Sequence, residues 1–455
     1  MPQNFTPVNR QQRYLFPESV DQWLPKSHFA WFVVETVDLL DLSAFLARYR
    51  DDGAGQRAYH PSIMVGVLFY AYCTGERSSR QIEKRCMEDV AYRVIAANLQ
   101  PDHATLARFR ADFQNELGDL FKQILQLCQK TGLIKAGSVS LDGTKLKANA
   151  ALDQNRTAEH LKKLVDDMLA EAAQKDATEN RLFGNARGDE LPEDLRDPNS
   201  RRERLKACLK RLEDEAQAAR DAQQKLIDTR AAEEAKGKKF GGHKVLSPEE
   251  KVNAEAKANM TDPQSRVMKT RQGLRQCYNA QAVATENQIV IAADVTQMAN
   301  DYQQAVPMLT QAKANLAAVK STLALGAVLM DAGYFSHENA EAETVLNVEL
   351  FMPTGKKWRA TEEEQQLADA LGELPAGEKA RKRLEQRLAS SRGQAMYKKR
   401  GQTIEPVFGQ IKTVQRGGQC SRRGVEAARQ EWKFTCAAHN VLKLWRSTRA
   451  IKAKS

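Results

Sequence analysis

The sequence predicts an α/β fold: a mixed five-stranded sheet flanked by helices, with an N-terminal all-helical domain and a long helical insertion after the first strand. Three observations predict it. Residues 1–130 carry apolar positions at helical spacing. From Lys135 the period changes to two, as in a half-buried strand. From Tyr278 onward, apolar strand-like runs alternate with amphipathic helical ones.

Taken in order, SIMVGVLFYAYCTG (62–75) is an apolar helix that ends at Gly75. Short amphipathic pieces follow, and Pro101, Asp102 and Thr105 mark the start of the last, from which Arg108 and Arg110 project. Such a cluster fits either a helix-turn-helix-like DNA-binding unit or a dimerisation domain. GSVSLDG then alternates, with Val139 and Leu141 on one face and Ser140 and Asp142 on the other. Residues 156–262, rich in Ala, Glu, Lys, Arg and Gln, form the insertion and read as a helical hairpin rather than a sheet. YNAQAVAT and QIVIAADVT are a strand hairpin turning at Glu286-Asn287. A helix (301–316), a doubly buried strand ending at Asp331, a helix capped by Ser336 and a strand (348–355) follow. A charged helical stretch, 360–392, precedes a helix predicted to start at Pro406. With the two insertions set aside, this connectivity is that of an RNase H-like domain over 131–445, with 446–455 left as a basic tail.

Composition narrows the function classes. The chain has 455 residues, enough for about two or three domains. Its net charge of +11 is uneven: residues 381–455 hold 19 Lys+Arg against 4 Asp+Glu, a local +15 that leaves the remainder at −4. So concentrated an excess is an electrostatic footprint for a polyanion, nucleic acid first. The seven cysteines are scattered and form no C-x-x-C, which argues against disulfide frameworks and structural zinc. No apolar run approaches the ~18 residues that span a bilayer. These features lead us to expect a reduced, soluble protein without a membrane partner, in the cytoplasm.

Within this basic chain three acids stand out. Asp142 lies on the first strand and Asp331 at the end of the strand after the first strand-connecting helix. Strand ends of an open α/β sheet line a ligand crevice. Two carboxylates converging there repel unless a cation lies between them, and oxygen-only ligands suit Mg²⁺ or Mn²⁺. Glu405 is the third acid, expected at a helix start and sharing a face with Gly409 and Lys412 while Val407, Phe408, Ile411 and Val414 form the apolar face.

At these residues the chain resembles the DDE transposases of bacterial insertion sequences, in the group with a Tyr-Arg-Glu-Lys signature. The matching segments are LDGTKLKANA (141–150), MDAGYFSHEN (330–339) and Tyr397, Arg400, Glu405 and Lys412, with NAQAV (279–283) and DHATLARFR (102–110) also similar. There are departures. Four residues separate Arg400 from Glu405 instead of the usual three, and the larger insertion follows the first strand instead of preceding the glutamate. The resemblance implies two Mg²⁺ ions, replaceable by Mn²⁺, held by Asp142, Asp331 and Glu405 about 3.5–4 Å apart. It implies DNA cleavage at the element's terminal inverted repeats, then transfer of the freed 3′-OH into target DNA by a homodimer near the bacterial nucleoid. Tyr397, Arg400 and Lys412 would position phosphates. Lys145, Lys147, Arg416, Arg422, Arg423, Arg429, Arg108 and Arg110 are the further candidate DNA contacts. A nuclease of the same fold without strand transfer, or an inactive copy acting as a repressor, are the alternatives.

Overall fold

The computed structural model describes residues 19–49, 58–135, 137–167, 201–237, 246–252, 256–321, 324–355, 358–375 and 378–452. Its centre is a mixed sheet. Strand β1 (Val139–Lys147) pairs antiparallel with β5 (Gly273–Thr285), and β5 pairs antiparallel with β6 (Val290–Thr296) on its other edge. On the far side of β1, β7 (Ala327–Leu329) runs parallel to it, and β8 (Glu349–Phe351) runs parallel to β7. Helix α10 (Ala305–Ala318) connects β6 to β7, and α11 (His337–Leu346) connects β7 to β8. Ser336 caps α11 by accepting from the Asn339 amide at 3.0 Å. Val139, Ser140 and Leu141 are all buried, because β1 is central and covered on both faces.

The sheet has six strands, one more than the sequence suggests. Strand β4 (Arg266–Thr270) folds back onto the outer end of β5 through a two-residue turn at Arg271-Gln272. Gly273, at φ 94°, closes that turn in the left-handed region open to glycine. Periodicity missed β4 because RVMKT lies in polar surroundings and exposes Val267.

The insertion also differs from a purely helical hairpin. Its long helix, α8 (Arg201–Ala235), is present, followed by the short α9 (Pro248–Lys251). Its base is a two-stranded antiparallel ribbon, β2 (Asn155–Thr157) with β3 (Lys257–Asn259). Asn259 holds that base, its amide donating to the Ala151 carbonyl at 2.7 Å and to Asn155 Oδ1 at 3.1 Å. A small separate core of Leu161, Leu205, Cys208, Leu212 and Ala258 fills it. Residues 168–200 of the expected hairpin lie outside the described residues.

The N-terminal region is helical, as its spacing predicts: α1 (Phe29–Asp38), α2 (Ser43–Leu46), α3 (Pro61–Thr74), α4 (Ser79–Glu88), α5 (Val90–Ile95), α6 (His103–Asp112) and α7 (Gln114–Lys130). Asp102 caps α6, accepting from the Thr105 amide at 2.9 Å. These helices share one hydrophobic cluster with the sheet. The link is the C-terminal helix, which packs Phe434 on Phe69 (centroids 4.6 Å apart) and Trp445 on Phe29 (4.8 Å). Numbered last, this helix is α15 (Val425–Lys452), and it takes in residues 446–452 of the expected basic tail.

The charged stretch is α12 (Glu362–Leu371) and α13 (Ala380–Ala389), followed by α14 (Ser391–Thr413). The sequence predicts a helix start at Pro406; instead Pro406 lies inside α14. A proline there removes one helical bond, at a cost of roughly 3 kcal/mol. The carbonyl it leaves open, that of Gln402, accepts from Gln288 Nε2 at 2.9 Å. Ile404, Val407 and Ile411 are fully buried on the same helix, each contributing roughly 1.5–3 kcal/mol. Burial plus the replacement bond therefore outweighs the proline penalty. Val414, expected on this apolar face, is exposed.

Trp432 joins α15 to the sheet. It is 1% exposed, and its indole N–H donates to the Gln281 carbonyl on β5 at 2.9 Å. Truncation to alanine should cost about 3–5 kcal/mol, read as a lowered unfolding midpoint. A loss near zero would show that α15 does not secure the sheet.

A three-carboxylate cleft as candidate active site

The register of the sheet brings two acids together. Ser140 on β1 pairs with Leu329 on β7, so Asp142 and Asp331 each lie two residues beyond a paired position on parallel neighbours. Asp331 also caps a single 3-10 turn, Ala332–Tyr334, by accepting from the Gly333 amide at 2.9 Å. Helix α14 packs across β1, β5, β7 and β8 and supplies the third acid, Glu405. Its exposed face presents Glu405, Gly409 and Lys412 together, and nothing lies within 4 Å of where a Gly409 Cβ would be.

The three carboxylates meet at Arg400. Its Nη2 is 2.7 Å from Asp142 Oδ2 and 3.9 Å from Asp331 Oδ2, and its Nη1 is 3.7 Å from Glu405 Oε1. Arg400 is largely buried, whereas the Glu405 side chain is 63% exposed. Burial pushes the Asp142 carboxyl up to about 6; the Arg400 guanidinium opposes this, and the nearby Asp331 charge adds to it. Arg400 is held more firmly charged than usual despite its burial, through Asp142, Tyr397, Asp331 and Glu405. One guanidinium thus balances three acids, so the cluster has room for further positive charge.

A second layer was not evident from the sequence. Asp301 Oδ1 accepts from Asn279 Nδ2 at 2.6 Å and Gln281 Nε2 at 2.8 Å, and lies 3.9 Å from Lys145 Nζ. The buried Tyr334 hydroxyl donates to Gln281 Oε1. Gly143 lies against this layer: a Cβ there would fall 2.6 Å from Gln281 Nε2 and 2.7 Å from Asp301 Oδ1. The available signal was Asn279 and Gln281, two amides at i and i+2 in an otherwise apolar strand. Nothing in the sequence links them to Asp301, which only the fold brings close.

The remaining candidates divide into two groups. Lys145, Lys147, Lys412, Arg416 and Arg108 reach solvent, and Lys145 also donates to the Ala299 carbonyl at 2.7 Å. The others have partners within the protein, Arg423 while remaining exposed. Tyr397 is 7% exposed and packs on Trp358, centroids 4.8 Å apart, so its ring is core. Arg110 donates to the Arg77 carbonyl at 2.8 Å and to Ser79. Arg422 donates to the Arg110 carbonyl at 3.1 Å and to Gln114 at 2.7 Å. Arg423 reaches the Asn149 carbonyl at 3.3 Å, and Arg429 pairs with Asp294 at 2.6 Å. Arg422, Arg423 and Arg429 brace the helical region and sheet against the C-terminal segment, and Arg110 ties α6 to the start of α4. The sequence displays their charge but not these acceptors.

As a donor set, three carboxylates suit a hard divalent cation. They are arranged around a guanidinium, however, and among the described residues no three acid, His or Cys side chains close on a single metal-sized point.

The raised Asp142 pKa makes a stability prediction. The carboxyl titrates near 3.8 unfolded and about 6 folded, so its burden is absent below pH 3.8 and fully present above about pH 6. Asp142→Asn removes it while keeping an acceptor for Arg400. The metal-free variant should gain on the order of 1–3 kcal/mol over wild type at pH 8 and much less at pH 4.5. Equal differences at both pH values, by thermal unfolding, would contradict a carboxylate strained by burial.

Two protein-family models match the chain. One, described as a transposase domain (DUF772), matches residues 18–112, which span α1 to α6. The other, described as a transposase DDE domain, matches residues 370–445 and contains Arg400, Glu405 and Lys412. No curated protein and no solved structure matches it. Transposase models thus match both the helical region and the helix that brings Glu405 to Asp142 and Asp331, and together they support a DDE transposase of an insertion sequence.

Proposed function

We propose that Asp142, Asp331 and Glu405 are the catalytic acids of an RNase H-like domain that cuts DNA at the ends of an insertion sequence and joins the freed 3′-OH to target DNA. The observation that carries this is the gathering of three acids, from β1, the end of β7 and α14, around one cation. The order of the main strands, third-second-first-fourth-fifth across the sheet, supports the RNase H-like reading.

The three carboxylates would hold Mg²⁺, with Mn²⁺ as a substitute. Bound there, the metal would activate the attacking oxygen and neutralise charge on the leaving one. The protein's own groups do the rest. Arg400, which lies against all three acids, would pair with a DNA phosphate if those acids held a cation. The open face at Gly409 lets a phosphate backbone approach α14, with Lys412 pairing to it. Asn279, Gln281 and Tyr334 fix Asp301 and so the floor beneath β1. In cleavage, water forms a new P–O bond as the bond to the 3′-oxygen breaks; in joining, that 3′-OH attacks a target phosphate and displaces its 3′-oxygen. Two ends must be paired for joining, which makes a homodimer on DNA the working form. The seven cysteines are all free and buried, which fits a reducing bacterial cytoplasm.

Asp142→Asn, Asp331→Asn and Glu405→Gln should each abolish nicking of the element's own inverted repeats while leaving duplex binding within a few-fold of wild type. Nicking by any purified variant in Mg²⁺ would remove that acid from the reaction. Nicking by wild type without joining to plasmid DNA would favour a nuclease without strand transfer.

A further inference from the structure

The β4–β5 hairpin is the feature that the carboxylate chemistry leaves unused. Strand β5 continues past the end of β1, where Lys147 pairs with Cys277, so residues 271–275 project beyond the shared sheet and are exposed. Between Arg266 and Cys277 the sequence has four basic residues and no acid. Arg266 serves the protein itself: it pairs with Glu215 on α8 at 2.7 Å and donates to the carbonyls of Gln264 and Ser265, anchoring the base of the ribbon. The side chains of Lys269, Arg271 and Arg275 have no ion pair or hydrogen bond with the described residues.

Arg271 and Arg275 continue a row of cations that leads into the cleft. Arg275, Cys277 and Asn279 share one face of β5, where Lys147 pairs with Cys277 and Lys145 with Asn279; Lys269, paired with Leu274, lies on the other face of the hairpin. The Cys277 thiol feels the positive charge of Lys145, Lys412, Arg275 and Lys147, although burial dominates its titration. Arg271 lies near enough to Lys412 to add to the burial that makes that ammonium easier to deprotonate. Five cations therefore crowd one end of the sheet, and among the described residues Asp301, 3.9 Å from Lys145, is the one acid within ion-pair distance of any of them. Like charges assembled this way repel one another unless a polyanion lies across them.

We propose that the β4–β5 hairpin is a DNA-docking ribbon, in which Lys269, Arg271 and Arg275 grip the phosphates of duplex DNA leading into the carboxylate cleft. A two-stranded ribbon fits the major groove of B-form DNA. Val267 and Leu274, both exposed apolar residues on this hairpin, supply non-polar contact with the groove. The inference rests on the reading of the cleft as a DNA-cleaving site.

The test is salt-dependent binding of the full chain to random-sequence duplex DNA, by fluorescence anisotropy. Wild type should bind with a steep salt dependence, and Asp142→Asn should bind similarly. The triple variant Lys269→Ala, Arg271→Ala, Arg275→Ala should lose about 2.7 from the slope of log affinity against log salt, the share of three phosphate contacts. Arg271→Lys with Arg275→Lys, which keeps the charge, should retain the wild-type slope and confirms that the hairpin is folded. An unchanged slope in the triple variant, with wild type still binding and nicking, overturns the ribbon alone. Failure of wild type to bind duplex overturns the DNA-cleaving reading and the ribbon with it.

Discussion

The site depends on one interaction, the contact of the Arg400 guanidinium with Asp142. A half-buried carboxylate in the middle of a sheet pays heavily for lost hydration, and a neighbouring acid raises that cost. Arg400 makes the arrangement stable without a metal, reaching Asp142 at 2.7 Å and Asp331 and Glu405 at just under 4 Å. The rest of the architecture serves to deliver these four side chains. The parallel pairing of β1 with β7 sets two acids side by side. The long α14 carries both the third acid and the arginine. The buried face of that helix and the Gln288 bond to Gln402 keep it continuous through Pro406.

That continuity marks how far the sequence could be read. The strand and helix order from β5 to β8 was legible because periods of two and of 3.6 residues follow directly from which face is buried. The three acids were legible because Asp142 lies on an alternating strand, Asp331 at a strand end and Glu405 beside Pro406. The helix start at Pro406 was misread for a physical reason: a local rule about proline lost to the tertiary burial of Ile404, Val407 and Ile411. The sixth strand was missed because β4 is exposed and basic, so no apolar alternation announces it. Asp301 was missed because its partners lie about twenty residues away on a neighbouring strand, and no spacing rule connects them.

Charge was legible in amount but not in use. Arginines that look alike in the C-terminal excess do different work. Arg422 and Arg429 hold the protein's own segments together, whereas Arg416 and Lys412 face solvent. A basic count locates a surface; the acceptors around each guanidinium determine which charges remain for DNA. By that criterion the cations without a partner of their own near the carboxylates are those of the β4–β5 hairpin and the open face of α14, and the C-terminal arginines are mostly not among them.

The central claim is that the acids around Arg400 form a divalent-cation site once a metal competes for them. Electron paramagnetic resonance of Mn²⁺ titrated into the DNA-bound full chain tests it without relying on turnover. The account predicts specific Mn²⁺ binding that weakens at least tenfold in Asp142→Asn and Glu405→Gln, and that strengthens when Arg400 is replaced by alanine. Binding that is absent, or unaffected by all three substitutions, would contradict it.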